Sequence, residues 1–449
     1  MDNALLDRPT QNPPAEAGQE WCEECCGPCE CWNPEHEERE PEGLELDGDA
    51  LVAYLDSLTD QQRREIAGPW PVRWLYPWSE GEAERGINVC GGCGGGCAGL
   101  RLVLGIELDL ICVDTSKDAT ATATAAGCNA IRMDARDIDP RHPALRWTRR
   151  AVFTMPCPDW SIAGKRLGHL PENIEILTEA ISDVAEAYGN VWRAGGHHGD
   201  ASTAVLGTPW QDVTVAEMWS WVDEITTDKM TAGLMLAPVL IGMGLLAAGA
   251  PLESVIIEQA WTLPEAVKGA IGIEYVIAGW DGVVWDILDA GEFGSPSTRR
   301  RAIMVGSRVP VAAVQAPGII TFASDAIGWH PDTAINTRGV RKTAGGNEFK
   351  LGRTIPGITS KIRGWYDADD PEHRFTIEEV CLLVGLPPDF PVIGSRTSQC
   401  QQLGDIFSPL VAAAVWGALL GVEWLPRLLC YLAEQYPQVH ARYEFAEAA

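Results

Sequence analysis

Residues 87–100 read INVCGGCGGGCAGL. An apolar run typical of a buried strand passes into a loop rich in glycine and then into small residues that continue as a helix. Glycines at such a junction let backbone N–H groups approach a ligand without side chains in the way. The stretch therefore predicts the start of a βαβ unit whose loop binds a nucleoside-containing cofactor.

The segments after the glycine loop alternate between strands and helices. A strand over LDLICVD, an alanine-rich helix at 118–127 and strands over AIRMDA, RAVFTM and SVIIEQ follow in order. This alternation predicts an α/β fold with a Rossmann-like, doubly wound parallel sheet. Asp114 ends the second strand, where a carboxylate can bind ribose hydroxyls. NAD, FAD and S-adenosylmethionine all use this geometry, so the loop alone leaves the cofactor open.

The charge of the chain is acidic overall but unevenly distributed. The 449 residues carry a formal net charge of −29, which by itself disfavours a nucleic-acid partner. Residues 1–85 hold 21 acidic and 6 basic side chains, whereas residues 294–363 hold 3 acidic side chains against 11 Lys and Arg. Such a basic island is the electrostatic footprint of a DNA-binding surface, although a solvated charged loop has the same composition.

The cysteine content and the apolar segments indicate the cellular compartment in which the protein is expected. The chain has 14 cysteines but opens without a basic leader followed by an apolar stretch. We therefore expect a cytoplasmic protein, in a bacterial host cell if the gene is viral, with free thiols rather than a disulfide framework. Residues 233–250 carry no charge and imitate a membrane span, but Pro238 and several glycines favour a buried core helix, and we expect no membrane contact.

The first fifty residues contain a second group of cysteines, in WCEECCGPCECW at 21–32. Cys22, Cys25, Cys26 and Cys29 form two interleaved CxxC spacings that can hold a zinc ion. No second CxxC half follows at finger spacing and acidic neighbours raise thiol pKa values, so we assign no metal site and keep these four as the alternative. The high content of Pro, Glu and Gly predicts disorder in much of the segment, and residues 49–66 predict one amphipathic helix.

A cysteine stands between two prolines after the RAVFTM strand, in TMPCPDWSIAGKR at 154–166. This stretch resembles the P-C-Q-x-F-S-x-A-G-K signature of DNA cytosine-5 methyltransferases. Five further blocks, in the family's order, are similar to its D-L-F-x-G-x-G-G, E-N-V, G-x-P-Q-x-R-x-R-x-x-x-V-G, R-E-A-x-R-L-Q-G-F-P-D-x-F and Q-I-G-N-A-V-P-P-x-V-A motifs. They are INVCGGCGGGCAGL, VIIEQA, GSPSTRRRAIMVG, TIEEVCLLVGLPPDF and QQLGDIFSPLVAAAV, and the resemblance covers about residues 87–420.

The resemblance implies a covalent mechanism and the residues that perform it. A thiolate that adds to cytosine C6 turns C5 into an enamine carbon able to attack a sulfonium methyl, and Cys157 matches that nucleophile. Glu258 matches the acid at N3, a role for a carboxyl with a raised pKa. Arg299 and Arg301 match the paired arginines near the cytosine O2 and the cysteine loop, and two residues apart they share a strand face. The target base would be flipped out of duplex DNA.

The resemblance also implies S-adenosylmethionine as the cofactor and a division of the chain. The residues expected to bind the cofactor are Cys90, Gly92, Gly94, Gly95, Asp114, Asp134, Pro156, Gly404 and Asp405. The expected regions are an acidic extension (1–85), a catalytic domain (86–308, with an insertion at about 168–227), a loop-rich target-recognition domain (309–373), a return to the catalytic domain (374–424) and a helical tail (425–449). We expect a monomer that methylates double-stranded DNA, for protection from restriction or for marking.

Supporting positions depart from the family's pattern and keep alternatives open. The departures are Asn88 for the opening Asp, Cys90 for the adenine-stacking aromatic, Pro158 for Gln, Gln259 for Asn, Ser297 for Gln and Asp405 for Asn. Three alternatives follow from these departures. The chain is an active methyltransferase of a divergent lineage, such as that of a phage, or a relative that uses a modified sulfonium cosubstrate, or a degenerate homologue that binds DNA or a partner without catalysis. Two further alternatives are that the substrate is RNA, or that the chain is a nicotinamide oxidoreductase, which the glycine loop alone would also fit.

Overall fold

The computed structural model describes residues 48–162, 164–189, 213–338 and 348–437, and the backbone of two short strands near the start of the chain. The chain divides into two compact units, Met1–Thr59 and Asp60–Ala449. Among its described residues, the first unit contains an antiparallel pair of strands and one helix, namely β1 (Trp21–Cys22), β2 (Gly27–Pro28) and α1 (Gly48–Ser57).

Two predictions fall on this first part of the chain. The alternative metal ligands Cys25, Cys26 and Cys29 lie outside the described residues, and of Cys22 only the backbone is described. The prediction of one helix over residues 49–66 is wrong. The helix ends at Ser57, the Leu58 N–H bonds to the Leu55 carbonyl in a turn, and a new helix begins at Asp60.

The second unit contains the remaining helices and strands. Its helices are α2 (Asp60–Ala67), α3 (Gly95–Ala98), α4 (Lys117–Ala125), α5 (Pro171–Ala187), α6 (Val215–Ser220), α7 (Ala237–Ala247), α8 (Glu265–Ile277), α9 (Ala323–Ile327), α10 (Ile377–Leu383), α11 (Arg396–Asp405), α12 (Pro409–Leu420) and α13 (Trp424–Gln435). Its strands are β3 (Arg85–Val89), β4 (Asp109–Asp114), β5 (Asn129–Arg132), β6 (Arg150–Phe153), β7 (Ser254–Ala260), β8 (Gly282–Asp289), β9 (Arg300–Ser307), β10 (Ala334–Asn336), β11 (Glu348–Lys350) and β12 (Tyr366–Asp367).

Seven strands form the central sheet in the order β5-β4-β3-β6-β7-β9-β8. Strands β3 to β7 pair in parallel, whereas β9 is antiparallel to both of its neighbours. Every residue of β3, β6 and β7 is buried, as expected of strands covered by helices on both faces. The predicted Rossmann-like α/β fold is confirmed, and the antiparallel pair β8–β9 at one edge is an addition to that prediction.

Residues 406–413, which include the start of α12, pack back onto the glycine loop. A Cβ atom at Gly95 would overlap the carbonyl oxygen of Phe407, and one at Gly99 would lie 2.7 Å from the carbonyl oxygen of Pro409. Helix α12, which follows Phe407, is almost entirely buried in the main hydrophobic core. The glycines at 95 and 99 are therefore needed for close backbone packing as well as for the shape of the loop.

A second hydrophobic core joins residues 309–373 to the return segment. The three-stranded sheet β11-β10-β12 contributes Ile335, and the loops around it contribute Ile355 and Trp365. These side chains pack with Val380 of α10 and Leu403 of α11. The segment expected to be loop-rich is thus built on the same core as the helices that follow it.

The apolar stretch at 233–250 forms a core helix. Helix α7 occupies its centre, and its residues from Ala237 to Leu246 are all buried. By length and composition, one helical run in the described part of the chain, Arg396–Leu420, could also cross a bilayer, and 78% of its most apolar window is buried inside the fold. Burial of this kind is typical of helices at the centre of a folded domain.

Candidate active site

A cavity with a volume of about 770 Å³ opens at the carboxyl ends of the parallel strands. Its walls come from the loops after β3, β4, β5 and β6, from β7 and the start of β9, and from α11. In open α/β sheets, ligands bind in this crevice because the loops after the strands converge there. The cavity contains residues from both the predicted catalytic set and the predicted cofactor set.

The loop after β6 presents Cys157 to this cavity. The Cys157 carbonyl oxygen accepts hydrogen bonds from the backbone N–H groups of Trp160, at 3.1 Å, and Ser161, at 2.9 Å, which closes a turn. The Trp160 side chain is fully buried and anchors the turn to the fold. A Cβ at Gly164 would overlap the Pro158 carbonyl oxygen. The two flanking prolines further restrict the backbone, so the thiol sits on a stiff loop.

Glu258 and Arg301 form an ion pair across two neighbouring strands. Glu258 lies opposite Ile303 and Arg301 lies opposite Ala260 in the antiparallel β7–β9 pair, so both side chains are on the same face of the sheet. Arg301 Nε is 2.7 Å from Glu258 Oε1, and the two side chains are 19% and 6% exposed. A pair this buried leaves an uncompensated charge when one partner is removed.

Arg299 connects the start of β9 to the end of α11. Its Nη1 donates a hydrogen bond to the Gly404 carbonyl oxygen at 2.6 Å, and its backbone N–H donates to Asp289 Oδ1 at 2.8 Å. Burial and the neighbouring Arg301 guanidinium lower the pKa of Arg299 to about 10, so it remains a cation at neutral pH. Arg299 Nε is buried without a hydrogen-bond partner, which leaves one donor available to a ligand.

The Cys157 thiol lies in the electrostatic field of this ion pair. Burial raises the pKa of Cys157, and the Glu258 carboxylate raises it further. The guanidinium groups of Arg301 and Arg299 act in the opposite direction and lower it. Without a substrate the thiol is therefore held mainly in its protonated form, and the two arginines are the groups that favour the thiolate.

Asp114 closes the cofactor side of the cavity. Its Oδ2 accepts a hydrogen bond from the Gly92 N–H at 3.0 Å, and its Oδ1 accepts from the Ser116 N–H at 2.8 Å. Burial raises the pKa of the Asp114 carboxyl. Each carboxylate oxygen has a second lone pair, so both can still accept from ligand hydroxyls.

The glycine loop takes an unusual backbone conformation at the cavity. Cys90 has φ of 55°, which is rare for a residue other than glycine, and its carbonyl oxygen accepts from Thr154 Oγ1 at 2.7 Å. Gly92 has φ of 56°, and no atom lies within 4 Å of the position a Cβ would take. This open position is where the backbone of the loop can approach a ligand.

The other predicted cofactor residues divide into two groups. Asp134, Pro156 and Asp405 line the cavity together with Cys90, Gly92 and Asp114, whereas Gly94, Gly95 and Gly404 do not line it. The carboxylate of Asp134 is paired with Arg136, whose Nη2 is 2.9 Å from Asp134 Oδ2. This hydrogen bond lowers the pKa of Asp134 and keeps the carboxylate charged.

Sequence reasoning missed a further part of the cavity wall. Residues 226–231, at the end of the expected insertion, line the cavity through a tight turn closed by hydrogen bonds between Thr227 and Met230. The N–H and hydroxyl groups of Thr231 both donate to Asp159 Oδ2, at 2.6 and 3.1 Å. This pairing joins the end of the insertion to the Cys157 loop, and no motif in the sequence indicated it.

Gln259 also has a role that the motif comparison did not reveal. The side chain is fully buried, and its Nε2 donates to the Met155 carbonyl oxygen at 3.3 Å. Its Oε1 accepts from the Ala260 N–H at 2.8 Å. Gln259 thus links β7, which carries Glu258, to the backbone two residues before Cys157.

Comparisons with known proteins bear on the fold. No protein-family model and no curated protein matches the chain by sequence. Among solved structures, the methyltransferase EhMeth of Entamoeba histolytica is similar with a TM-score of 0.51 and 13% identity, over 76% of this chain and 98% of that one. At this identity the similarity shows a shared fold, that of a Rossmann-like methyltransferase.

Two further solved structures match with lower TM-scores. A putative DNA modification methyltransferase encoded within a prophage of E. coli has a TM-score of 0.45 and 12% identity, over 76% of this chain and 99% of that one. The Dnmt2 methyltransferase of S. pombe has a TM-score of 0.47 and 13% identity, over 75% of this chain and 98% of that one.

Proposed function

We propose that the chain transfers a methyl group from S-adenosylmethionine to C5 of a cytosine in double-stranded DNA, with Cys157 as the nucleophile. The observation that carries this proposal is the composition of one cavity. Cys157, Glu258, Arg299 and Arg301 line the same space as Gly92, Asp114 and Asp134. A nicotinamide oxidoreductase would account for the residues of the glycine-loop side, but it would leave Cys157, Glu258 and the two arginines without a role.

The cysteine side of the cavity suits covalent addition to a pyrimidine. In the proposed reaction the Cys157 thiolate forms a bond to C6, and the electron pair of the C5–C6 double bond shifts through the ring toward N3, which takes up a proton. Arg301 and Arg299 favour the thiolate, since both lower the thiol pKa. C5 would then take the methyl group, with S-adenosylhomocysteine as the leaving group. Loss of the C5 proton to water and cleavage of the C6–S bond would restore the aromatic ring and release the thiolate.

The buried ion pair suits the opposite edge of the same base. The Glu258 carboxyl group, in its protonated form, would donate to cytosine N3, and Arg301 would donate to O2, where negative charge builds up during the attack. Arg301 already lies against Glu258 with an Nε–Oε1 distance of 2.7 Å, so the two groups are held together before a base arrives. The low exposure of both side chains strengthens these interactions because water is excluded.

The glycine-loop side of the cavity fits the proposed cofactor. Asp114 would accept hydrogen bonds from ribose hydroxyls, and the open position at Gly92 would allow the cofactor to approach the backbone. When bound, S-adenosylmethionine supplies the electrophilic sulfonium methyl group. Asp405, an exposed carboxylate on the same cavity, favours a modified sulfonium cosubstrate as the second candidate.

Charge and exposed aromatic surface near the cavity support a nucleic-acid substrate. Arg300 points away from the cavity side of β9, and its guanidinium lies 4.6 Å from the ring centroid of Trp261. Trp261 is 38% exposed, and both residues flank the strand ends that carry Glu258 and Arg301. Together with the basic composition of residues 294–363, this pair is a surface on which a DNA backbone can lie.

The proposal is tested by methyl transfer from tritiated S-adenosylmethionine. The full chain is incubated with unmethylated duplex DNA or with RNA, and the product is digested to nucleosides. We expect label in 5-methyldeoxycytidine for the native chain and for Cys430→Ser, an exposed thiol far along the chain, and no label for Cys157→Ser. Label in RNA alone contradicts DNA as the substrate. Binding of duplex DNA without label contradicts the use of unmodified S-adenosylmethionine.

A further inference from the structure

Three thiols from three separate elements meet behind the glycine loop. Cys97 lies in α3, Cys112 lies in β4, and Cys128 directly precedes β5. Their Sγ atoms all lie within 4.8 Å of one another, and those of Cys97 and Cys112 are 3.2 Å apart. Within the described part of the chain, no other three His, Cys, Asp or Glu side chains come close enough to share an ion.

Cys97 and Cys112 belong to the main hydrophobic core, where cysteine alone packs well, but two polar side chains also reach this cluster of thiols. Asn88 Nδ2 donates to Cys112 Sγ at 3.7 Å, and the Arg101 guanidinium interacts with the Cys128 thiol. Asn88 is 1% exposed, yet its Oδ1 has no hydrogen-bond partner. An amide donor at Cys112 and a cation at Cys128 are contacts expected of charged thiolates.

We propose that Cys97, Cys112 and Cys128 bind a zinc ion. When three thiolates bind tetrahedral zinc with Zn–S bonds of about 2.3 Å, their sulfur atoms lie about 3.8 Å from one another. The observed separations, from 3.2 Å to at most 4.8 Å, bracket this value, so small side-chain rotations suffice. Three thiolates and one divalent cation leave one negative charge, which the Arg101 guanidinium beside Cys128 offsets in part, since it also pairs with Glu107 Oε1 at 3.2 Å.

The site has an entry path and room for a fourth ligand. A second cavity, with a volume of about 850 Å³, lies at the amino ends of β3, β4 and β5 and is lined by Cys97, Arg101 and Cys128. Cys128 is only partly buried, whereas Cys97 and Cys112 are buried. Water can therefore reach the cluster past Cys128 and complete a tetrahedral coordination shell.

Zinc at this position would connect the elements that shape the cofactor loop. A Cβ at Gly94 would lie 3.3 Å from Cys128 Sγ, and Cys112 is two residues before Asp114 on the same strand. The ion would link α3, β4 and the chain before β5, so its loss would loosen the glycine loop. Weaker binding of S-adenosylmethionine after loss of zinc is expected only if the proposed function is correct. Zinc binding itself does not depend on that function.

The experiment separates this site from the cysteines near the start of the chain. Serine replaces Cys22, Cys25, Cys26, Cys29 and Cys31 in the full chain, and the purified protein is titrated with Zn²⁺ alone under reducing conditions, in competition with a chromophoric chelator. Cobalt substitution then reports thiolate ligands through a sulfur-to-metal charge-transfer band. We expect about one zinc ion per chain, bound through three sulfur atoms.

Cys128→Ser is the decisive variant because its side chain is partly exposed and its loss leaves the buried core intact. It should weaken zinc binding by at least about tenfold, since loss of a direct ligand costs no less than loss of an outer-shell partner. Cys430→Ser is the matched control and should bind zinc normally. Cys112→Ser is a second test, with circular dichroism to verify its folding. No zinc binding in the parent protein, equal binding in Cys128→Ser, or a Cys97–Cys112 disulfide in peptide mass spectra of the freshly purified chain would overturn the proposal.

Discussion

Replacement of Gly99 by alanine tests the packing of residues 409–413, at the start of α12, against the glycine loop. A Cβ at Gly99 would lie 2.7 Å from the Pro409 carbonyl oxygen, 2.8 Å from Ala412 Cβ and 2.8 Å from the Ala413 backbone nitrogen. Ordinary contacts of a Cβ begin at about 3.4 Å, so α12 would have to move away by roughly half an ångström or more. Two of the three obstacles are backbone atoms, which no side-chain rotation can relieve.

The size of the effect follows from two opposing contributions. Overpacking of a core costs about 1–3 kcal/mol, while glycine to alanine in a helical segment gains about 0.5–1 kcal/mol. Gly96 provides a matched control on the same turn, because a Cβ there would meet Phe407 Cδ1 at 3.5 Å and Asn88 Nδ2 at 3.6 Å, which are ordinary distances. We expect Gly99→Ala to lower the free energy of unfolding and Gly96→Ala to leave it unchanged or raise it.

Chemical denaturation of both variants, followed by tryptophan fluorescence, measures this difference. The gain from replacing glycine is common to both variants, so the two midpoints should separate by the equivalent of about 1–3 kcal/mol, with Gly99→Ala the less stable. Equal midpoints, or a more stable Gly99→Ala, would refute the close approach of α12 to the glycine loop. The return of the last sequence block to the cofactor site would then lose its structural basis.

Three further predictions concern the cavity. Glu258→Gln should shift the pH profile of Cys157 alkylation by iodoacetamide to lower pH, because the carboxylate raises the thiol pKa. Arg301→Gln should shift the profile to higher pH, because the guanidinium lowers the thiol pKa. Shifts of both variants in the same direction would contradict the electrostatic arrangement. Asp159→Ala should lower the free energy of unfolding by about 1–3 kcal/mol, since it leaves two donors of Thr231 unpaired. Thr231→Val removes only the hydroxyl bond and should cost about 0.5–1.5 kcal/mol; an equal or larger loss than in Asp159→Ala would argue against the pairing.

The local pattern of the sequence was sufficient to predict the central fold. The strand, glycine loop and helix around Gly92 and the strand that ends at Asp114 are encoded over short distances, by apolar runs and by residues with special backbone freedom. The break after Ser57 was missed because no Gly or Pro interrupts residues 49–66, although Thr59 and Asp60 are residues that typically start a helix. The antiparallel pair β8–β9 was also missed, since no hairpin turn marks the connection between Asp289 and Arg300.

Contacts between distant segments lay beyond the sequence. The ion pair of Glu258 and Arg301 depends on the register of two strands, and nothing in either strand alone specifies that register. The approach of residues 226–231 to the Cys157 loop depends on the path of a long insertion. The three thiols at 97, 112 and 128 have no motif spacing, because they belong to three elements that only the sheet brings together.

The most direct test of the account is a covalent trap at Cys157. A duplex that contains 5-fluorocytosine allows thiolate addition and methyl transfer, but the C5 fluorine cannot leave as the proton does, so the protein remains bonded to C6. Incubation with this duplex and S-adenosylmethionine should give a complex stable to denaturing electrophoresis, and peptide mass spectrometry should locate the adduct at Cys157. Absence of a complex, or an adduct that persists in Cys157→Ser, would contradict the central claim.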